Sequence, residues 1–135
     1  MIIKRINHLG IAAKDNEVAK HFFGTLLGLQ SEGSETVTEQ QVHVDFLQVE
    51  NSRIELLTAT TADSPITKFL LSKGSGIQHI ALEVDNLEEW IAHLLENNVT
   101  MIDSKPRRGA HNTKIAFIHP KSTGGVLVEL VEEHV

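Results

Sequence analysis

Apolar residues recur along the chain with two spacings, one typical of strands and one typical of helices. Residues 2–13 form an apolar run rich in isoleucine and leucine, and this pattern predicts a strand. In residues 17–27 the apolar positions recur at helical spacing, and Gly28 follows at the usual helix-ending position. We therefore predict that the chain opens with a strand and a helix, and that Asp15 or Asn16 caps this helix.

The rest of the first half predicts shorter elements. A weak pattern at residues 29–34 indicates a short strand, while residues 42–47 alternate between apolar and polar side chains, as half-buried strands do. Residues 53–58 form the next strand, and the short turn between these two strands makes them a hairpin. Ser64, followed by a proline, then marks the start of a helix over residues 66–73.

The second half repeats this order after a break at residues 74–76 that contains two glycines. Its patterns predict a strand, a helix and three further strands, over residues 77–84, 87–97, 99–102, 114–119 and 126–131. Each half therefore has the order strand, helix and three strands, or βαβββ. Because such a unit carries its helix on one face of its sheet, the other face must be covered.

These patterns predict an α+β protein in which two tandem βαβββ modules form one curved mixed sheet around a shared site. The modules occupy residues of about 1–73 and 76–135, within a single domain over residues 1–135. Equivalent strand positions of the two modules would then face a common concavity, where side chains distant in sequence meet.

Each half places one histidine and one glutamate in apolar, strand-like surroundings. His8 and His79 lie in the first strand of each half, and Glu55 and Glu129 lie in the last. A single histidine in such a strand is usually a core residue, and a glutamate there can pair with an arginine. Four such residues at matched positions favour a common chemical site, and imidazole with carboxylate suits a divalent transition metal.

Composition and charge limit the possible functions. The chain has 135 residues, of which 41% are hydrophobic and 22% charged, as in ordinary globular domains. It has no cysteine, which excludes disulfides and thiolate metal ligands. A net charge of −6 argues against a nucleic-acid partner. Since no apolar run approaches the length of a membrane span, we expect a soluble, cytoplasmic protein without a membrane partner.

Several stretches carry a resemblance that covers almost the whole chain. They are Asn-His-Leu-Gly-Ile-Ala at residues 7–12, Arg-Ile-Glu-Leu-Leu at 53–57, Asp-Ser-Pro-Ile at 63–66, His-Ile-Ala-Leu-Glu-Val-Asp-Asn at 79–86, and residues 117–130. Together they resemble the vicinal oxygen chelate superfamily, which pairs βαβββ modules around a divalent metal. The third stretch and the His-Pro-Lys-Ser-Thr-Gly-Gly-Val-Leu-Val-Glu-Leu part of the last are more specifically similar to its methylmalonyl-CoA epimerases.

The resemblance implies a site and a reaction. His8, Glu55, His79 and Glu129 would bind one divalent metal ion, such as Co, Zn, Ni or Mn. This metal would chelate the thioester oxygen and the carboxylate of an acyl-coenzyme A substrate and would stabilise the enolate. The implied activity is that of an isomerase, the epimerisation of methylmalonyl-CoA at C2, in which Glu129 serves as an acid/base group.

The second acid/base position departs from the family pattern. Some epimerases carry a glutamate on the third strand, where this chain has Val44. Glu55 is our candidate for that role. Asp45 and His43 flank Val44, but strand alternation directs them to the other face of the sheet.

A basic loop and the turn that follows the next strand are candidates for substrate binding. Arg107, His111 and Lys121 would meet the phosphates of coenzyme A, and His119 would line the pocket. The plain alternative is that these residues belong to an ordinary solvated loop and a turn cap.

Other functions of the same superfamily stay open. Glyoxalase I (lactoylglutathione lyase) uses the same ligand set on the hemithioacetal of glutathione and methylglyoxal, and a glutamate at position 55 fits it well. A non-enzymatic, antibiotic-binding resistance protein would need no catalytic metal, and four intact candidate ligands argue against it. We also expect a homodimer, because an exposed sheet edge favours pairing with a second copy.

Overall fold

The computed structural model describes residues 1–133, so the last two residues of the predicted second module, His134 and Val135, lie outside its described part. Over residues 1–133 the chain forms eight strands and three α-helices. In chain order they are β1 Ile3–Ala12, α1 Asn16–Lys20, β2 Ser31–Val37, β3 Val42–Val49, β4 Ser52–Ala59, α2 Pro65–Lys73, β5 Gly76–Val84, α3 Leu87–Glu96, β6 Arg107–Arg108, β7 Lys114–Ile118 and β8 Val128–Glu132. None of the helices in this part of the chain has the length and apolar character needed to cross a membrane.

Side-chain caps fix where the three helices begin. A carboxylate oxygen of Asp15 accepts a hydrogen bond from the backbone N–H of Glu17 at 3.1 Å, and the hydroxyl of Ser64 accepts one from Ile66 at 3.2 Å. Asn86 caps α3 in the same way. Because these oxygens satisfy N–H groups that have no partner inside the helix, each cap sets the first turn. The caps predicted at Asp15 and Ser64 are confirmed.

The chain divides into two compact units. We call His8–Gln78 the N unit, and Met1–Asn7 with His79–Val135 the C unit. Strand β1 therefore contributes its first residues to the C unit and the remainder to the N unit.

In the N unit the strands run in the order β2-β3-β4-β1. Strand β1 pairs with β4 in parallel, and the other neighbours are antiparallel. Helix α1 covers one face of this sheet, where Ala19 packs with Leu47 and Leu56 in a buried cluster. The helix therefore defines a covered face, and residues that alternate with Leu47 and Leu56 point to the opposite face.

In the C unit the strands run β5-β8-β7-β6, with the same parallel first pair and antiparallel neighbours. Helix α3 covers one face, where Leu87 and Ile91 pack with Ala116 and Leu130. Both units thus repeat one topology, with β5, β6, β7 and β8 taking the places of β1, β2, β3 and β4. This repetition confirms the predicted βαβββ order.

The prediction of a strand over residues 99–102 is wrong. Residues 100–102 do lie beside the end of β7, through hydrogen bonds from the N–H of His119 to the carbonyl of Thr100 and from the N–H of Ile102 to the carbonyl of Phe117, but this pairing amounts to one isolated bridge, Met101 with Ile118. The N–H of Val99 instead bonds to the carbonyl of Leu94 at the end of α3. The second strand of this unit is instead the two-residue β6, which lies inside the predicted basic loop.

The first helix also differs from its prediction in form. It is α-helical only to Lys20 and continues as a π-helix over His21–Leu26. The apolar spacing does not distinguish an α-helix from a π-helix. No residue of the π-helix is fully buried, and Phe22 and Leu26 of the predicted apolar face are exposed.

Candidate metal centre

In the N unit, His8 and Glu55 form a buried pair. Strands β1 and β4 align Gly10 with Glu55, and His8 lies two residues before Gly10 on the same face. The Nδ1 atom of His8 lies 3.1 Å from Oε2 of Glu55. Their exposed fractions are 5% and 3%, so both polar groups are withdrawn from solvent.

In the C unit, His79 and Glu129 form a pair in the same strand register, but through the other ring nitrogen of the histidine. Strands β5 and β8 align Ala81 with Glu129, and His79 lies two residues before Ala81. The Nε2 atom of His79 lies 2.9 Å from Oε1 of Glu129. Both side chains are buried. The structure therefore brings each predicted histidine to the glutamate of its own unit, in an identical register.

Both pairs lie on the sheet face that the helix does not cover. In each unit the residue directly across the antiparallel pair from the glutamate is a phenylalanine, Phe46 opposite Glu55 and Phe117 opposite Glu129. The ring of Phe117 stands edge-on to His79, with centroids 5.5 Å apart. Each glutamate therefore has an aromatic ring as its cross-strand neighbour.

One charged residue distinguishes the two pairs. The Nε–H group of Arg53 donates to Oε2 of Glu55 at 3.3 Å, the same oxygen that lies near His8. In the C unit the register position that corresponds to Arg53 is Leu127, two residues before Glu129. A cation therefore supports the carboxylate in the N unit, while the matched position of the C unit is apolar.

The departure at Val44 is structural as well as chemical. Val44 lies opposite Leu57 on the same face as Glu55, and its side chain is buried and apolar. Asp45 instead lies on the helix side, where its Oδ2 atom is 3.7 Å from Nζ of Lys20. His43 shares that face by alternation. Neither flanking residue is directed toward the face that carries Glu55, as the sequence predicts.

The donor set fits a divalent transition metal. Imidazole nitrogens and carboxylate oxygens are the ligands that Zn, Co, Ni and Mn share, and His8, His79 and Glu129 are all buried. A buried carboxylate is costly unless a cation or hydrogen bonds compensate its charge. A bound divalent cation would supply that compensation at Glu129.

A second buried carboxylate on this face of the C unit has a different partner. Glu83 accepts hydrogen bonds from Nε of Arg5 at 2.8 Å and from the amide of Asn7 at 3.1 Å. Burial raises the pKa of Glu83, but these hydrogen bonds and the guanidinium charge outweigh that effect and hold the pKa below its usual value. Glu83 is therefore an ionised partner of Arg5 that stabilises the fold.

The basic residues predicted to bind substrate fall on two segments of the C unit. Arg107 belongs to β6, where its Nε lies 2.9 Å from Oδ1 of Asp103 in an ion pair without hydrogen-bond geometry. His111 lies in the exposed turn after β6, at a left-handed φ of 56°. Such a conformation is costly for a residue other than glycine and recurs at functional turns.

The turn after β7 holds His119 and Lys121. The Nδ1 atom of His119 accepts a hydrogen bond from the backbone N–H of Lys121 at 3.0 Å, so the neutral ring carries its proton on Nε2. Alternation places His119 on the same face as Phe117 and Glu129. This geometry is compatible with both predicted roles of His119. It can cap the turn, and it can line a pocket on the sheet face that carries Glu129.

Sequence reasoning missed Arg53, Phe46 and Phe117. The two phenylalanines occupy matched strand positions, and this repetition was the signal that could have revealed them. Arg53 has no counterpart in the second half, so the repeat gave no signal for it; its position two residues before Glu55 on the same strand was the signal that could have found it.

The sequence model of the glyoxalase/bleomycin resistance protein/dioxygenase superfamily matches residues 7–117, which is most of the chain. The chain belongs to this superfamily. The predicted vicinal oxygen chelate membership is thereby confirmed.

Several proteins similar to this chain are methylmalonyl-CoA epimerases. The human mitochondrial enzyme is 39% identical over 93% of this chain and 72% of its own length. The ethylmalonyl-CoA/methylmalonyl-CoA epimerase of Cereibacter sphaeroides is 35% identical over 96% of this chain and 98% of its own.

A solved methylmalonyl-CoA epimerase in complex with methylmalonyl-CoA and NH4+ shares the fold. It is 31% identical, covers 99% of this chain and 97% of its own, and has a TM-score of 0.94. The predicted α+β, glyoxalase-like fold class is confirmed by this agreement.

Proposed function

We propose that the protein is a metal-dependent isomerase that interconverts the (2R) and (2S) forms of methylmalonyl-CoA. The observation that carries this proposal is the pair of buried His–Glu contacts in identical register on the helix-free face of both units. The relatives within the superfamily that act on this thioester support the same assignment.

His8 and Glu55 of the N unit and His79 and Glu129 of the C unit are the proposed ligands of one divalent metal ion. Their burial and donor chemistry support this proposal. When bound, the ion would act as a Lewis acid for the negative charge that develops on the thioester oxygen. The identity of the metal, among Co, Zn, Ni and Mn, is a question for elemental analysis.

Glu129 is the proposed acid/base group on one face of the substrate. Its carboxylate takes the proton from C2 and the electron pair of the C–H bond moves into the enolate. A proton then bonds to the opposite face of C2 through the electron pair of the enolate, which gives the other epimer. Glu55 is the proposed donor, since Val44 cannot serve; it takes this proton from water before the step and is a carboxylate again after it, while Glu129 returns its proton to water. The reverse reaction exchanges the two roles.

Burial of the candidate groups supports the chemistry. The aromatic rings of Phe46 and Phe117 lie directly across from the two glutamates and limit the access of water. A site with little water strengthens electrostatic interactions with the developing enolate. It also slows loss of the abstracted proton to solvent.

The acyl-coenzyme A chain is proposed to extend along the basic side of the C unit. Arg107, His111 and Lys121 supply positive or titratable groups for the phosphates, although Arg107 already pairs with Asp103. The protonated Nε2 of His119 is proposed to donate a hydrogen bond to the substrate. The cytoplasmic location and the homodimer stay predictions.

Lactoylglutathione lyase activity is the second candidate, and one observation favours it. Position 55 carries a carboxylate, the residue type expected from the resemblance to that enzyme. The same metal and a similar enediolate would serve both reactions, so substrate choice must decide between them.

Proton exchange at C2 tests the proposal. The metal-loaded protein should exchange the C2 proton of methylmalonyl-CoA for deuterium in deuterated water, as followed by NMR, and should convert one epimer to the other. Absence of exchange, with turnover of the glutathione hemithioacetal, would assign the lyase activity instead. Absence of both reactions in metal-loaded protein would contradict both candidate activities.

A further inference from the structure

The guanidinium of Arg53 contacts one oxygen of the Glu55 carboxylate. Its Nε–H group donates to Oε2 at 3.3 Å, and Nδ1 of His8 lies 3.1 Å from the same oxygen. The exposed fractions of the two partner side chains are 16% for Arg53 and 4% for Glu55. This contact is therefore largely shielded from solvent, unlike a surface ion pair that contributes little.

Phe46 holds the guanidinium of Arg53 in place. The central carbon of that group lies 5.6 Å from the ring centroid, within cation–π distance. Phe46 is 1% exposed and stands directly across the strand pair from Glu55. The buried ring thus lies against the cation, and the cation contacts the carboxylate.

We propose that Arg53 is a positioning residue that fixes Glu55 in the orientation needed to bind the metal. This inference rests on the proposed function, because it takes Glu55 to be a metal ligand. Groups that hydrogen-bond to metal ligands typically change metal affinity by about 10-fold to 100-fold. The matched position of the C unit is Leu127, so this support belongs to the N unit.

Two effects of Arg53 on metal affinity have opposite signs. Its positive charge repels a divalent cation, while its hydrogen bond removes the freedom of the Glu55 side chain to adopt other rotamers. The carboxylate lies beside the guanidinium and offsets much of the repulsion. Orientation is therefore the larger effect, and loss of Arg53 weakens metal binding.

Substitution by methionine and by lysine separates the two effects. Arg53→Met removes the charge and the hydrogen bond, whereas Arg53→Lys keeps the charge but loses the planar fork that engages Glu55 and Phe46. We expect metal affinity, measured by competition with a chromogenic chelator, to fall by about 10-fold to 100-fold in both variants. Affinity equal to or tighter than wild type in Arg53→Met would overturn the inference.

Arg5→Met is the matched control. Arg5 also pairs with a buried carboxylate, Glu83, but that carboxylate is not a proposed metal ligand. This variant should unfold at a lower temperature, as Arg53→Met should, while its metal affinity stays within about twofold of wild type. An equal loss of affinity in both variants would mean that general destabilisation, not positioning, explains the effect.

A double-mutant cycle tests whether Arg53 affects metal affinity through Glu55. If Arg53 acts through Glu55, Arg53→Met should change metal affinity little in a Glu55→Ala background. A full additional loss there would overturn the positioning role. Failure of wild-type protein to bind any divalent metal would overturn the proposed metal site and this inference with it, whereas normal binding by Arg53→Met would overturn the inference alone.

Discussion

Glu55 and Glu129 occupy the same register position in their units but have different neighbours. Glu55 contacts both His8 and Arg53, while Glu129 contacts His79 beside the ring of Phe117. The two units thus repeat one strand pattern, but their carboxylates have different electrostatic surroundings.

At the same scale, His119 offers a prediction about substrate binding. His119→Asn keeps an acceptor for the N–H of Lys121 but removes the donor at Nε2, whereas His119→Gln keeps a donor near that position and loses the cap. We expect KM for methylmalonyl-CoA to rise roughly fivefold in the asparagine variant, from a net hydrogen-bond contribution of about 1 kcal/mol. The glutamine variant should stay closer to wild type, and kcat should change little in either.

Steady-state kinetics with both variants checks this expectation. Wild-type KM in His119→Asn together with reduced thermal stability in His119→Gln would show that the residue only caps its turn. The substrate-binding role would then be withdrawn.

Particular residues show why the site was partly predictable from sequence. His8, Glu55, His79 and Glu129 were recognisable because each interrupts an apolar strand and because the interruption occurs twice. The structure supplies what the sequence could not, namely that each histidine meets the glutamate of its own unit. Arg53 was missed although it lies two residues before Glu55 on one strand, so that strand alternation already places the two side chains on the same face.

The helices and strands of the two units match more closely than their individual residues do. Helices α1 and α3 each cover one face of their sheet and leave the opposite face for a His–Glu pair. Of the predicted strand over residues 99–102, only the bridge of Met101 with Ile118 forms, while Val99 still bonds to the end of α3; a four-residue pattern does not fix how far pairing extends. The starts of α1 and α2 were predicted better, since Asp15 and Ser64 accept hydrogen bonds from backbone N–H groups only two residues further along the chain.

Packing of α3 on its sheet gives a stability prediction. Ile91 is 4% exposed within the cluster that includes Leu87, Ala116 and Leu130. Ile91→Ala should lower the free energy of unfolding by about 2–5 kcal/mol, because it removes buried methyl groups and leaves a cavity. Urea denaturation measures this loss.

Ile91→Val is the matched control, with an expected loss of about 0.5–1.5 kcal/mol. Equal stability of wild type and Ile91→Ala would contradict the packing described for α3.

The C unit is assembled from both ends of the chain. Residues 1–7 belong with His79–Val135, and Arg5 joins them through its ion pair with Glu83. Hydrogen bonds between Ile2 and Asp85 add to this connection. The free energy of unfolding of this unit therefore depends on ionised carboxylates, which become protonated at low pH.

Glu83 gives a pH-dependent prediction at the scale of the molecule. Because its pKa in the folded protein lies below the usual value of about 4.3, its contribution to stability is present above that pH. It is lost as the pH falls through the lower, folded-state pKa. Glu83→Gln should therefore be less stable than wild type at neutral pH, and the difference should shrink as the pH falls below about 4.

Urea denaturation of both proteins across this pH range checks the sign. Stability curves that run parallel down to pH 2 would show that Glu83 is not the ionised partner of Arg5 described above.

Metal stoichiometry tests the central claim most directly, because one His–Glu pair from each unit is proposed to bind a single ion. Purified protein loaded with Co or Zn and then dialysed should contain about one ion per chain by elemental analysis. His8→Asn and His79→Asn should each weaken that one site in a chelator competition, and each should slow deuterium exchange at C2 of methylmalonyl-CoA. Two ions per chain, or a His8→Asn variant that binds metal as tightly as wild type, would contradict the shared site.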